Sequence, residues 1–125
     1  MTGLERAPHT FTYADRWRLE RAAGLYLCKC YRTKSAARVS EFAKELGLTP
    51  EYLSQRAMEI LGRPLRVYLR EKQATYAAWL LRTLPAEITV DEIAIRAAFG
   101  TPKTFYRSFR ETYGTTPGAF RNLKK

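Results

Sequence analysis

Residues 89–121 read TVDEIAIRAAFGTPKTFYRSFRETYGTTPGAFR, and the spacing of apolar and basic side chains in this segment predicts two helices. Its first part places apolar side chains on one face at helical spacing, which predicts a short amphipathic helix followed by a tight turn at residues 98–100. Thr89 and Glu92 have the spacing of a capping box, in which each side chain bonds the backbone amide of the other residue. Thr101 is followed by proline, and this pair predicts the start of a second helix.

The second helix separates apolar side chains from basic ones. Phe105, Phe109 and Tyr113 recur every four residues and predict a buried stripe, whereas the cations lie off that stripe, at positions 103, 107 and 110. Two short helices with a tight turn and an outer basic face are typical of a helix-turn-helix, whose second helix enters the major groove of DNA. We therefore expect Phe99, Phe105 and Phe109 to be core residues rather than platforms on which bases stack.

The same pattern occurs earlier in the chain. Val39–Ala43 aligns with Val90–Ala94 at an offset of 51, and Leu53 aligns with Phe105 at an offset of 52, so the second copy has a turn that is one residue longer. A threonine–proline pair marks a helix start in both copies and once more at Thr116. The repeat predicts two copies of one supersecondary unit.

The longest helical pattern lies between the two copies, from Pro64 to Thr83. About 19 residues at 1.5 Å each give roughly 28 Å, which is close to the roughly 34 Å between successive major grooves on one face of DNA. Lys72 and Gln73 interrupt its apolar face, so we expect the centre of this helix to be solvated.

Helices are also predicted at both ends of the repeat, over Tyr13–Arg32 and over Thr116–Leu123, where Phe120 faces inward and Arg121 is exposed. The chain then divides into four segments. These are a flexible arm over 1–12, a first helix-turn-helix subdomain over 13–62, a linker helix over 63–84 and a second subdomain over 85–125.

Length and charge narrow the class of protein. A chain of 125 residues forms one compact unit or two small ones that share a core. Its net charge of +10 is typical of a protein that binds a polyanion, and it also occurs in basic proteins that have no nucleic-acid role. Residues 1–62 carry ten cations and seven anions (+3), and residues 63–125 carry twelve and five (+7). Neither a run of about 18 apolar residues nor a signal peptide is present, so a cytoplasmic protein is expected.

The sequence offers little for catalysis or metal binding. On a helix, Cys28 and Cys30 would point in different directions and could not form a disulfide, so we expect two buried thiols in a reducing compartment. His9 is the only histidine. With no nucleophile beside a base and no glycine-rich phosphate loop, we expect neither an enzyme nor a metal or other cofactor.

In its ordered set of motifs, the chain resembles the AraC/XylS family of bacterial transcription regulators. The resemblance is carried by Ile93–Ala94, the turn that ends at Phe99, Phe105–Arg110, Tyr113–Pro117 and Phe120–Arg121. It covers about residues 15–123 and departs from the family at Ala98, where a glycine is usual. The separate ligand-binding or dimerisation domain of the family is absent, so the chain looks like a short member that is a bare DNA-binding domain, or like a fragment of a larger regulator.

The resemblance implies an all-α, homeodomain-like fold of about seven helices, in which a long helix joins two helix-turn-helix subdomains. It implies a sequence-specific DNA-binding transcription regulator of the bacterial nucleoid that reads two adjacent major-groove segments. The expected partner is double-stranded DNA, and RNA polymerase is a further candidate. Binding as a monomer fits two units on one chain, and the sequence leaves the oligomeric state open.

By the same resemblance, bases are read by the exposed N-terminal part of each second helix: Glu51, Ser54 and Gln55 in the first copy, and Lys103, Thr104 and Arg107 in the second. Phosphate contacts are expected at the helix starts and at three arginines: Thr49, Thr101, Thr116, Arg56, Arg110 and Arg121. Arginine suits guanine, glutamine suits adenine, and glutamate accepts from cytosine. A phosphate contact or a solvated cation is the alternative for Arg107, and a phosphate contact is the alternative for Lys103. An ordinary surface side chain is the alternative for Gln55.

The first copy departs further from the family than the second. Ala57 stands where a bulky aromatic is usual, and the carboxylate of Glu51 would be repelled by phosphates. A second hypothesis is therefore an adaptor that keeps the fold but binds a protein, such as polymerase or another regulator. A salt-dependent gel shift on DNA separates the two hypotheses.

Overall fold

Helix boundaries follow the cap residues that the sequence contains. The structure, a computed structural model, describes residues 13–123. In that range the chain forms seven helices and no strand: α1 (Tyr13–Thr33), α2 (Val39–Glu45), α3 (Pro50–Leu61), α4 (Leu65–Thr83), α5 (Val90–Arg96), α6 (Pro102–Tyr113) and α7 (Pro117–Leu123). The prediction of an all-α chain of about seven helices is confirmed. The predicted arm over 1–12 lies outside the described residues.

Threonine side chains cap four of these helices. The hydroxyl oxygens accept hydrogen bonds from backbone amides three residues later, over 3.1, 3.0, 3.1 and 3.2 Å, at Thr49, Thr89, Thr101 and Thr116. The predicted helix starts are thus confirmed. The prediction that the Glu92 side chain bonds the backbone amide of Thr89 is wrong. The Glu92 carboxylate accepts instead from Arg96 at 2.9 Å and from Lys34 at 3.4 Å. These two cations lower the pKa of Glu92, with Arg96 the larger cause.

Helix α4 belongs to the cores of both helix-turn-helix units. Its first part buries Leu65, Tyr68 and Leu69 in a cluster with α1, α2 and α3. Its second part buries small residues and leucines in a cluster with α5 and α6, against which Phe120 of α7 also packs. One helix of 19 residues therefore closes the first unit and opens the second.

The internal repeat extends beyond the part that the sequence alone indicates. Four buried residues of α1 each have a buried counterpart in α4, 51 positions later. Ala23 corresponds to Ala74, Tyr26 to Ala77, Leu27 to Ala78, and Cys30 to Leu81. Large and small side chains change places between the copies. In the first unit Tyr26 and Leu27 share a cluster with Ala57, whereas in the second the alanines of α4 share a cluster with Phe105 and Phe109. In the first core the large side chains thus lie on α1, and in the second core they lie on α6, so each core combines large with small side chains.

The prediction that the centre of α4 is solvated is wrong at Gln73. Lys72 is exposed, but Gln73 has only 3% of its surface exposed. Its side-chain amide donates to the backbone oxygens of Ala97 and Ala98, over 3.1 and 2.9 Å. The turn of the second unit thus supplies the acceptors that a buried amide requires.

The two cysteines differ in their surroundings. Cys30 is buried in the first cluster, as predicted, and burial raises the pKa of its thiol. The prediction for Cys28 is wrong, because this residue is exposed. Within the described part of the chain, no helix is both long enough and apolar enough to cross a membrane.

The two helix-turn-helix turns share a backbone conformation that disfavours side chains. Gly47 in the first copy has a φ of +73°, and Ala98 in the second has a φ of +68°. Four residues separate α2 from α3 and five separate α5 from α6, as the two offsets predicted. A left-handed conformation costs a residue with a Cβ atom about 1–2 kcal/mol.

We expect Gly47→Ala to lower the free energy of unfolding by about 1–2 kcal/mol, although no atom lies within 4 Å of the added carbon. In contrast, Ala98→Gly should give no gain. Relief of strain is offset by the loss of a buried methyl group, about 0.8 kcal/mol, and by the greater freedom of glycine in the unfolded chain, about 0.5–1 kcal/mol. Urea denaturation followed by circular dichroism measures both. A gain above roughly 1 kcal/mol for Ala98→Gly would show that its methyl group contributes no packing.

Candidate nucleic-acid interface

Helix α6 presents a basic outer face. Its inner face buries Phe105, Ser108 and Phe109. On the opposite face, exposed side chains lie at helical spacing: Lys103 precedes Arg107 by four residues, and Arg110 and Glu111 follow it by three and four. This face carries three cations and one anion, which is an arrangement that attracts an anionic surface.

Aromatic contacts hold α6 in place. The ring of Phe105 lies 5.1 Å from that of Phe99 and 5.8 Å from that of Phe109, measured between centroids. Phe109 in turn lies 4.8 Å from Tyr113 and 5.2 Å from Phe120. Phe99, Phe105 and Phe109 are buried, so their prediction as core residues is confirmed. The outer face of α6 therefore stands on a helix whose inner face is fixed by close packing.

Helix α3 has an outer face of different character. The positions that correspond to the outer face of α6 (Lys103, Arg107, Arg110 and Glu111) are exposed and hold Glu51, Gln55, Met58 and Glu59. Met58 has 48% of its surface exposed. Ser54 is exposed at the edge of this face. The first unit can thus offer hydrogen-bonding groups to bases, but its outer face carries no cation.

The predicted phosphate contacts at the helix starts can use two kinds of donor, the threonine hydroxyl hydrogens and the backbone amides. The hydroxyl oxygens of Thr49, Thr101 and Thr116 already accept from amides of their own helices. Proline follows each threonine and has no amide hydrogen. The next amide, that of Glu51 or Lys103, has no acceptor within its helix and points out of the helix start.

The three predicted phosphate arginines lie in different surroundings. Arg110 is exposed on the outer face of α6. Arg56 is half-buried, donates to Glu59 over 3.3 Å and lies over the ring of Tyr52. Arg121 is half-buried rather than exposed as predicted, because its guanidinium donates to the backbone oxygen of Pro85 over 3.3 Å.

Thr104 does not lie with Lys103 and Arg107. It is half-buried, and its hydroxyl accepts a hydrogen bond from that of Thr101 over 3.1 Å. It lines a cleft of about 220 Å³ between the two units, together with Arg38 and Arg70. These two arginines are basic side chains beside the candidate interface that the sequence patterns did not indicate.

Tyr106 is the other residue that the sequence reasoning missed. It has 41% of its surface exposed and lies beside the basic face of α6. Its counterpart at the offset of 52 is Ser54, which was predicted to read bases, whereas Thr104 corresponds to Tyr52. Applying the same offset to both copies would have named Tyr106 instead of Thr104. In the described part of the chain, no three His, Cys, Asp or Glu side chains are grouped as they would be around a metal ion.

Comparison with known proteins gives a match over most of the chain. A family model described as a helix-turn-helix domain matches residues 42–123. The chain is 33% identical over 77 residues to the F1 operon positive regulatory protein of Yersinia pestis, covering 62% of this chain and 25% of that protein. It is 28% identical over 87 residues to the HTH-type transcriptional regulator ExsA of Pseudomonas aeruginosa, covering 70% and 31%. The matched part is thus a quarter to a third of each relative.

A solved structure shares both fold and sequence with this chain. The C-terminal domain of AraT, a response regulator from Geobacillus stearothermophilus, is 27% identical and superposes with a TM-score of 0.68, covering 84% of each chain. The overall fold of this chain is therefore similar to that of a known domain.

Proposed function

Because the chain belongs to the AraC family of helix-turn-helix transcription regulators, as its motifs predicted, we propose that it controls transcription by binding a specific DNA sequence. The observation that carries the proposal is the outer face of α6, where Lys103, Arg107 and Arg110 are exposed on a helix fixed by its aromatic inner face. Three cations at these spacings suit the edge of a major groove and the phosphates that border it.

The residues of α6 receive distinct roles in this proposal. Arg107 and Lys103 read bases, and Arg107 pairs with guanine through two hydrogen bonds. Arg110 lies one turn further along the helix and neutralises a phosphate. Thr101 and Thr116 position the amides that bind phosphates, Arg121 adds a cation on α7, and Thr104 contacts bases from the edge of the interface.

We further propose that the first unit reads an adjacent segment of the same duplex. Gln55 and Ser54 donate to base edges, and Glu51 accepts from a cytosine amino group. Thr49 and Arg56 bind the phosphates that flank this segment. Since α4 has 19 residues and so a length of about 28 Å, the two units suit major-groove segments about 10 base pairs apart on one face of the duplex.

The wider setting of the protein follows from this role. RNA polymerase is the further partner we propose, and one chain with two units suits binding as a monomer. We place the activity in the bacterial cytoplasm, at the nucleoid, and assign the chain no enzymatic function.

Selection of binding sites from random duplexes, followed by hydroxyl-radical footprinting, tests the proposal. We expect a non-palindromic site protected in two segments about 10 base pairs apart, because two different outer faces contact it. Protection of a single segment would show that the first unit does not engage DNA. An affinity that is equal for selected and random duplexes would contradict sequence-specific binding.

A further inference from the structure

A buried amide at the middle of α4 connects that helix to the turn of the second unit. The side-chain nitrogen of Gln73 donates both of its hydrogens, to the oxygen of Ala97 at 3.1 Å and to that of Ala98 at 2.9 Å. The next buried residues along α4, at positions 74, 77 and 78, are alanines, which pack without polar groups. An apolar side chain would fill the same volume without burying an amide. What Gln73 adds to packing is therefore its pair of directed hydrogen bonds to the turn.

The same turn also contacts the first unit. The oxygen of Ala98 accepts a second hydrogen bond, from the amide of Ala37 over 3.0 Å, in the loop between α1 and α2. The side chain of Ala98 is buried in the cluster of the first unit rather than in that of the second. Gly100 lies so near Ala36 that a Cβ atom on the glycine would be 3.6 Å from that of the alanine.

An ion pair reinforces this junction at the surface. Lys34, in the loop of the first unit, lies 3.4 Å from the carboxylate of Glu92 in α5. The two units are therefore joined by α4 and also by a direct contact of loop against turn. Gln73 bonds the turn at the oxygen that receives the first unit's hydrogen bond, so it links all three segments.

We infer that Gln73 is a positioning residue for DNA recognition. By holding the turn of the second unit against the loop of the first, it fixes the distance and angle between α3 and α6. The spacing between the two DNA segments that the chain accepts then becomes part of its specificity. The inference rests on the proposed function, since spacing matters only if both units bind one duplex.

Without the hydrogen bonds of Gln73, the second unit could move relative to the first. A single helix between two units bends and twists, and each base pair added between the DNA segments rotates one relative to the other by about a tenth of a helical turn. A loosened junction accommodates that rotation by moving the second unit. A fixed junction requires the DNA to deform instead, which weakens binding.

The test is Gln73→Met, which keeps the side-chain volume and removes both donors. The matched control is Thr75→Ala, because Thr75 is exposed and its hydroxyl bonds only within α4, to Glu71 over 3.0 Å. Affinity is measured on the selected duplex and on duplexes with one or two base pairs inserted or removed between the two segments. We expect wild type and control to lose roughly tenfold per inserted pair, the size of effect that one mismatched position gives, and the variant to lose less than about threefold.

Different outcomes contradict different claims. If the wild-type protein itself shows no preferred spacing, the two-segment function fails, and the role of Gln73 fails with it. If wild type prefers one spacing and Gln73→Met keeps the same preference, only the role of Gln73 is overturned. A loss by one common factor at every spacing would mean that Gln73 stabilises the fold without setting geometry.

A second variant covers the case in which Gln73→Met does not fold. Gln73→Asn keeps an amide but is one methylene shorter, so it cannot reach both oxygens, and it should broaden the spacing preference in the same way. Amide exchange gives a reading independent of DNA. Exchange at Ala37 should accelerate in either variant, while exchange at Leu53, inside α3, should stay unchanged, and equal protection of Ala37 in variant and wild type would overturn the inference.

Discussion

Replacing Phe109 with alanine is expected to lower the free energy of unfolding by about 3–5 kcal/mol, the range for removing a fully buried phenylalanine. Phe109 has no exposed surface, and its ring lies within 6 Å of the rings of Phe105, Tyr113 and Phe120. The cluster that contains Phe109 includes three alanines of α4, whose short side chains cannot move into the vacated space. Urea denaturation followed by circular dichroism measures the loss, which is a large share of the roughly 5–15 kcal/mol that stabilises a typical domain.

Tyr106→Ala is the matched control for this prediction. It removes an aromatic side chain from the same helix at a position with 41% of its surface exposed. We expect it to cost at most about 1 kcal/mol, as substitutions away from the core do. Similar losses for the two variants would mean that the stripe of aromatic residues in α6 does not form the core of the second unit.

Arg107→Ala is expected to weaken binding to the selected duplex by about 1–3 kcal/mol and to relax base preference at one position. The reason is its place on the outer face, four residues after Lys103 and in the half of α6 that would enter the groove. Arg110→Ala should instead weaken all duplexes similarly and reduce the slope of log affinity against log salt by about one unit. Competition gel shifts with selected and random duplexes at several salt concentrations measure both effects.

The fold should survive both substitutions, because Arg107 and Arg110 are exposed and lie away from the buried stripe. Thermal melts of the two variants should therefore match the wild-type melt. If Arg107→Ala weakens selected and random duplexes by equal factors, then Arg107 binds a phosphate and another residue reads the base.

Local signals sufficed to predict most of the fold. Threonine–proline pairs at 49, 101 and 116 mark helix starts because the cap is formed within one turn of the chain. The buried stripe of α6 follows from a four-residue repeat of aromatic side chains. The basic outer face was predictable for the same reason, since a helix that buries one face exposes the opposite one.

Features that depend on distant partners were not predictable in this way. The local pattern predicts a solvated Gln73, because it contains no acceptor for a buried amide. The acceptors are the oxygens of Ala97 and Ala98, which lie 24 and 25 residues further along the chain. The pairing of Glu92 with Lys34 likewise joins residues 58 apart, and together with the nearer Arg96 it holds the carboxylate away from the expected capping box. Periodicity cannot report such contacts, because it describes only one element at a time.

The relation between α1 and α4 escaped the sequence reasoning for a different reason. At matched positions Tyr26 and Leu27 of α1 correspond to Ala77 and Ala78 of α4, so the side chains share burial but not size. The size difference is balanced on the facing helices, where Ala57 of α3 corresponds to Phe109 of α6. Matched positions in the two copies therefore share burial while their side chains differ in size.

The double role of α4 limits how such a chain can be shortened or lengthened during evolution. A break before Leu65 deprives the first unit of three buried side chains. A break after Leu69 separates the second unit from the residues that cover Ala98 and from Ala37, whose amide bonds the Ala98 oxygen. Neither half can then be exchanged as an intact module between proteins. Insertion of about 51 residues, the offset of the repeat, avoids this problem, because the helix that closes one unit already opens the next. Growth of the chain by whole repeats would need no additional linker.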